Sequence, residues 1–140
     1  MKNINFYRVC YDDLSPRQQE NFNFQKVSAL LADYGFMTLR LSSDWESADF
    51  IAQHIDGVRF LKVQLKGRFG IDKKYIGKDL YICFPDRGHW YLCPHDMLVC
   101  KALETTKIKK TNAWSNPKGN YHSKKAPETM RPFLENFRLS

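Results

Sequence analysis

From Ala48 to Lys66 the chain reads as two strands joined by the two-residue turn Asp56-Gly57, because Asp-Gly supplies the positive φ angles of a type I′ hairpin. Counting outward sets Ile55 opposite Val58, Gln53 opposite Phe60, Ile51 opposite Lys62 and Asp49 opposite Gln64, with Lys66 two residues further on the same face. The opposite face carries Phe50, Ala52, Leu61, Val63 and Leu65 and must cover a core. Ile51 and Phe60 are apolar too, so the pattern predicts cover on both faces there and an open end at Asp49, Gln64 and Lys66.

The rest of the chain supplies partners for that hairpin. Residues 1–14 hold Phe6, Tyr7, Val9 and Tyr11, expected as an edge strand or as irregular packing. Ser15-Pro16, with Gln18 three residues after the cap, predicts a helix over 16–34 that stops at Gly35. Its apolar stripe is Phe24, Val27, Leu30, Leu31 and Tyr34, and one step of four residues backward lands on Glu20. Strands are expected over 36–41, 79–84 and 90–93, and helices over 94–103 and 127–136. The loop over 42–47 carries Trp45, which either stacks on a base or caps the core.

At 140 residues, 43% of them hydrophobic, the chain has the size of one domain with a single core, spanning 1–140. It has no apolar run long enough to span a bilayer and no signal-peptide core, which predicts a cytoplasmic protein with no membrane partner. Cys10, Cys83, Cys93 and Cys100 lack C-x-x-C spacing and are expected as reduced thiols; Cys83, His89, Cys93 and His95 match no familiar zinc pattern. The net charge of +7 is concentrated, since Lys101–Lys125 holds seven lysines against Glu104 alone. That basic loop, at about 104–126, interleaves Lys109, Lys110, Lys124 and Lys125 with Trp114 and Tyr121. Cations with aromatics suit a polynucleotide; a solvated surface whose aromatics pack back onto the domain is the alternative.

An Asp and an amide oxygen side by side with an ammonium can hold a hard divalent cation and position a water, or can simply form a solvated cross-strand pair. Ala48-Asp49 and Gln64-Leu65-Lys66 resemble the two halves of the motif of the PD-(D/E)XK nuclease superfamily, with Ala for Pro and Gln for the acidic residue. The resemblance covers about residues 15–95, including the order helix, strand, strand, strand. It implies an α/β, restriction endonuclease-like three-layer sandwich with a mixed central β-sheet, acting as a metal-dependent endonuclease on DNA, of homing or restriction type. Asp49, Gln64, the Leu65 carbonyl and Glu20 would then hold Mg²⁺ or Mn²⁺, with Lys66 orienting the attacking water. Glu20 could equally favour the dipole of its helix from the first turn. Arg68, Lys73 and Lys74 occupy positions where such enzymes face phosphates, and enzymes of this size often act as homo-oligomers. A catalytically inactive nucleic-acid-binding module on the same fold is the alternative, with Gln64 as its mark.

Overall fold

A computed structural model describes residues 5–45 and 47–140; the side chains of Asp44 and Trp45 lie outside the described parts, and with them the expectation for Trp45. Helix α1 spans Pro16–Asp33. Its capping box is complete: the Gln18 N–H donates to Ser15 Oγ at 3.2 Å and the Ser15 N–H donates to Gln18 Oε1 at 2.9 Å. The buried line on α1 is Asn23, Val27 and Leu31, while Tyr34 is exposed. Asn23 tolerates burial because its amide donates to the Tyr11 hydroxyl at 2.9 Å. That bond ties the segment before α1 to the helix; residues 5–10 form no strand.

Strands β1 (Phe36–Trp45), β2 (Ala48–His54) and β3 (Phe60–Leu65) follow as an antiparallel meander. The pairing of β2 with β3 sets Ile51 opposite Lys62 and Gln53 opposite Phe60, as the hairpin pattern predicts. The turn itself differs. The Gly57 N–H bonds the His54 carbonyl, the Asp56 carboxylate accepts the N–H groups of Val58 and Arg59, and Gly57 has φ +73° while Asp56 does not enter the positive region. A four-residue loop closed by an Asp side chain therefore replaces the type I′ turn, leaving Ile55 and Val58 exposed and the strand register unchanged.

Beyond β3 come β4 (Phe69–Asp72), β5 (Leu80–Asp86), β6 (His89–Pro94), helix α2 (His95–Thr105), the short helix α3 (Asn112–Ser115), β7 (Asn120–Ser123), helix α4 (Arg131–Glu135) and β8 (Arg138–Leu139). The main sheet runs β1-β2-β3-β5-β6-β8; β3 and β5 are parallel and every other pair is antiparallel. The fold is thus α/β with a mixed central sheet between helical layers. A type I′-like hairpin does occur, at Arg87-Gly88, where both residues have positive φ (+49° and +83°) between the paired Asp86 and His89. Arg87 is held there by ion pairs to buried Asp86 and to Glu128.

On one face of the sheet, Val27 and Leu31 of α1 pack on Phe50, Ala52, Val63 and Cys83. On the other, Leu98, Val99 and Ala102 of α2 join Met130 and Leu134 over Ile82, Phe84, Tyr91 and Cys93. This second layer stops short of the meander. Phe60 is 61% exposed, Met37 74% and Leu39 66%, so the expected double cover around Ile51 and Phe60 is absent: α2 follows β6 and reaches only the far half of the sheet. Burial holds the Cys83 thiol far above its usual range and pushes Cys93 up to about 12, so both are inert neutral thiols in the core.

The basic segment is structured rather than loose. Strand β7 pairs with β4 in a separate two-stranded ribbon. Gly119 immediately precedes β7, where a Cβ would fall 2.3 Å from the Trp114 carbonyl oxygen, a space only glycine can occupy. Trp114 lies in the core, 5% exposed, with the Lys73 ammonium 5.1 Å from its ring. The expectation that Trp114 stacks on bases therefore needs correction: the indole fills the space under α2 and the ribbon, a larger gain for so large an apolar ring than exposure.

Candidate active site

The candidate residues gather at the end of the sheet where β3 leaves it and β2 enters. Register continued one step beyond the Phe50–Val63 pair sets Asp49 beside Gln64. The Leu65 N–H donates to Asp49 Oδ2 at 2.8 Å, so the aspartate is oriented by the backbone of the strand that carries Gln64. The Lys66 N–H continues onto β5, bonding the Cys83 carbonyl at 2.8 Å, which fixes the strand end from its other side. Glu20, one helical turn before Phe24, reaches the same place from α1. Glu20, Asp49, Gln64, Leu65 and Lys66 together line one cleft of about 360 Å³.

Lys66 is held by an aromatic ring. Its ammonium lies 5.2 Å from the centroid of Tyr75, and the Lys74 ammonium lies 5.1 Å from the same ring. Tyr75 is itself 3% exposed, in edge contact with His95, whose Nε2 accepts the Asp72 N–H at 3.1 Å. Burial lowers the pKa of His95, against the opposing pull of Asp96, so the ring is neutral and able to accept. A chain of contacts therefore runs from α2 through His95 and Tyr75 to Lys66.

Sequence reasoning missed several residues that line this cleft: Asn23, Arg40, Ser42 and Ser43. Arg40 stacks its guanidinium over Phe24 at 5.2 Å and donates to the Asn21 side chain. The signal was present in β1, where Thr38, Arg40 and Ser42 alternate with Met37, Leu39 and Leu41. Since Thr38 pairs with buried Ala52 and Arg40 with buried Phe50, the polar set is the one turned toward α1.

Of the expected phosphate contacts, Arg68 and Lys74 line a second groove adjoining the cleft at Lys66 and Gly67. Lys73 instead donates to the Asn116 carbonyl at 3.0 Å and covers Trp114, which anchors the ribbon. Lys109, Lys110, Lys124 and Lys125 are exposed and none lines the cleft or that groove.

The donor set is all oxygen: two carboxylates, one amide oxygen and one main-chain carbonyl. Such donors suit a hard cation such as Mg²⁺ or Mn²⁺ and not zinc, which prefers nitrogen and sulfur. Among the described residues no three His, Cys, Asp or Glu side chains come together. Also among the described residues, no helix is long and apolar enough to cross a membrane.

No family model matches the chain, and no curated protein matches it in sequence. Among solved structures it is similar to a bacterial homing endonuclease, I-Ssp6803I, with a TM-score of 0.51 at 17% identity, over 89% of this chain and 86% of that one. It is also similar to Hjc, a Holliday junction resolvase from Archaeoglobus fulgidus, with a TM-score of 0.46 at 16% identity, over 55% of this chain and 73% of that one. The chain has a restriction-endonuclease-like fold.

Proposed function

We propose that this protein is a metal-dependent endonuclease that hydrolyses phosphodiester bonds of DNA at the cleft of Glu20, Asp49, Gln64, Leu65 and Lys66. The observation that carries the reading is the bond from the Leu65 N–H to Asp49 Oδ2, which joins the two halves of the motif inside a cleft that Glu20 and Lys66 also line. The similarity of fold to a homing endonuclease supports DNA as substrate and a homing-type enzyme.

Glu20, Asp49, Gln64 and the Leu65 carbonyl would hold Mg²⁺ or Mn²⁺, which when bound supplies Lewis-acid stabilisation of charge on the phosphoryl oxygens. The chain's own residues do the rest. Lys66, held over Tyr75, donates hydrogen bonds to a water entering the cleft and to the developing negative charge on the phosphate. Asp49, kept in place by the Leu65 N–H, accepts from that water and turns a lone pair toward phosphorus. Arg40, stacked on Phe24 at the rim, supplies a second cation for the phosphate. Two strands require two such events, which favours a homo-oligomer acting on the duplex.

A second reading, a DNA-binding module that has lost catalysis, is favoured by one observation: the cleft offers a cation two carboxylates and an amide in place of three carboxylates. Supercoiled plasmid incubated with Mg²⁺ or Mn²⁺, and in parallel with a chelator, separates the two. Nicking or linearisation that the chelator stops supports the nuclease; binding without cleavage in either metal supports the inactive module.

A further inference from the structure

The candidate cleft does not end at Lys66. A second groove of about 580 Å³ shares Lys66 and Gly67 with it and is lined by Gln19 of α1, Arg68, Lys74, Tyr75, and Asn120 and His122 of β7. None of the β7 residues figures in the catalytic proposal above.

Within this groove Arg68 and His122 touch: the guanidinium nitrogen lies 2.5 Å from His122 Nδ1. A guanidinium can only donate, so Nδ1 accepts and the ring proton sits on Nε2. His122 owes its position to Gly70, its partner across the ribbon, where a Cβ would come within 3.2 Å of the His122 Cβ.

We propose that this groove is a phosphate subsite, in which Arg68 and His122 close on the non-bridging oxygens of a phosphodiester next to the one at Lys66 and so set the path of the bound strand. The proposal rests on the nuclease reading for its ligand, and on the Arg68–His122 pair and the continuity of the two grooves for its location.

Charge supports the assignment. Lys66, Arg68 and Lys74 face the groove against Asp12 and Asp72. The Asp72 carboxylate is already engaged, accepting the Lys74 N–H at 2.9 Å with the Lys74 ammonium 3.8 Å away. The remaining titratable groups that face it are Tyr11, Tyr75, Tyr121 and His122, and of these only the histidine can gain a positive charge by taking up a proton. Without an anion, a second proton on His122 would displace the Arg68 bond and set two cations together. A phosphodiester between them accepts from both, so binding draws one proton from solvent onto His122 Nδ1 and should strengthen as the pH falls.

The test is an NMR titration of the His122 ring between pH 8 and pH 5.5 without divalent cations, alone, with a six-residue oligothymidylate, and with inorganic phosphate. The expected result is an upward move of the His122 midpoint with the oligonucleotide at a lower concentration than free phosphate requires. Oligonucleotide affinity should also rise by up to about tenfold per pH unit, the limit for one linked proton. His122→Gln keeps an acceptor for Arg68 but cannot take the proton, and should flatten that dependence; Gly70→Ala, which crowds His122, should weaken binding with the ring still titrating. A His122 midpoint that neither probe moves, or the same pH dependence in His122→Gln, overturns the subsite. An equal response to free phosphate at equal concentration removes the strand as its ligand. The titration excludes cleavage, so a moved midpoint in a protein that never cuts DNA would retire the nuclease reading alone, and cleavage with an unmoved midpoint would retire the subsite alone.

Discussion

The Lys66 ammonium lies 5.2 Å from the Tyr75 ring centroid, and that ring is almost wholly enclosed by protein. A lysine at a strand end has four rotatable bonds and would otherwise sweep a wide volume. The tyrosine restricts it from one side and leaves its remaining N–H donors for the cleft.

Replacing Tyr75 should therefore act on the chemistry more than on binding. A cation–π contact contributes about 0.5–2 kcal/mol, so Tyr75→Leu is expected to lower kcat by roughly two- to thirtyfold with a smaller effect on KM. Tyr75→Phe, which keeps the ring, should stay close to wild type. Steady-state cleavage kinetics of the two variants check this, with urea unfolding to confirm that both remain folded.

Stability should depend on pH through His95. Burial lowers its pKa in the folded state below the ordinary histidine value, with Lys66 acting the same way and the Asp96 and Asp72 carboxylates opposing. As the pH falls below about 6.5 the unfolded chain takes up the proton before the folded one does, so stability drops, then levels off below the folded-state pKa. The slope cannot exceed about 1.4 kcal/mol per pH unit for a single proton. Urea unfolding between pH 8 and pH 5 should show this loss, and His95→Gln, which keeps an acceptor for the Asp72 N–H, should make it shallower.

The exposed lysines of the basic segment should act at long range. Replacing Lys109, Lys110, Lys124 and Lys125 by Ala is expected to weaken DNA binding and to reduce the slope of log K against log salt by about one unit for each phosphate contact removed. An unchanged slope would make them a solvated surface only.

Gln64 sets the charge of the candidate metal site. An amide oxygen carries only a partial negative charge, so Gln64→Glu, nearly isosteric, should tighten Mg²⁺ binding in the absence of DNA. Calorimetric titration of both proteins checks it; equal affinities would remove Gln64 as a ligand.

Much of this arrangement was legible because strand pairing is a counting problem. The alternation around Ile51 and Lys62 specifies which residues share a face, and the register survives a change of turn because a four-residue loop from Ile55 to Val58 keeps the same pairs aligned. The turn type was not legible: Asp-Gly suits a type I′ turn, yet the Asp56 side chain captures two backbone N–H groups and closes a wider loop, while Arg87-Gly88 adopts the tight form because Asp86 and Glu128 hold the arginine. Strands β4, β7 and β8 are only two to four residues long, β7 and β8 carry few apolar residues, and tertiary pairing makes them strands. Burial of Trp114 and exposure of Met37 and Leu39 depend on where α2 packs, which no local pattern encodes. Glu20 was found by extending a helical stripe, whereas Arg40 escaped because β1 turns its polar face inward.

In the proposed reaction Lys66 acts on a phosphodiester in the cleft it shares with Asp49 and Glu20. The most direct measurement is single-turnover cleavage of a DNA duplex by wild type and Lys66→Ala in Mg²⁺, with affinity measured in parallel in a chelator. The expected result is a loss of at least about a hundredfold in the cleavage rate, the scale for removing a donor that stabilises charge in a transition state, with affinity changed less than about threefold. Cleavage by Lys66→Ala at the wild-type rate would contradict it.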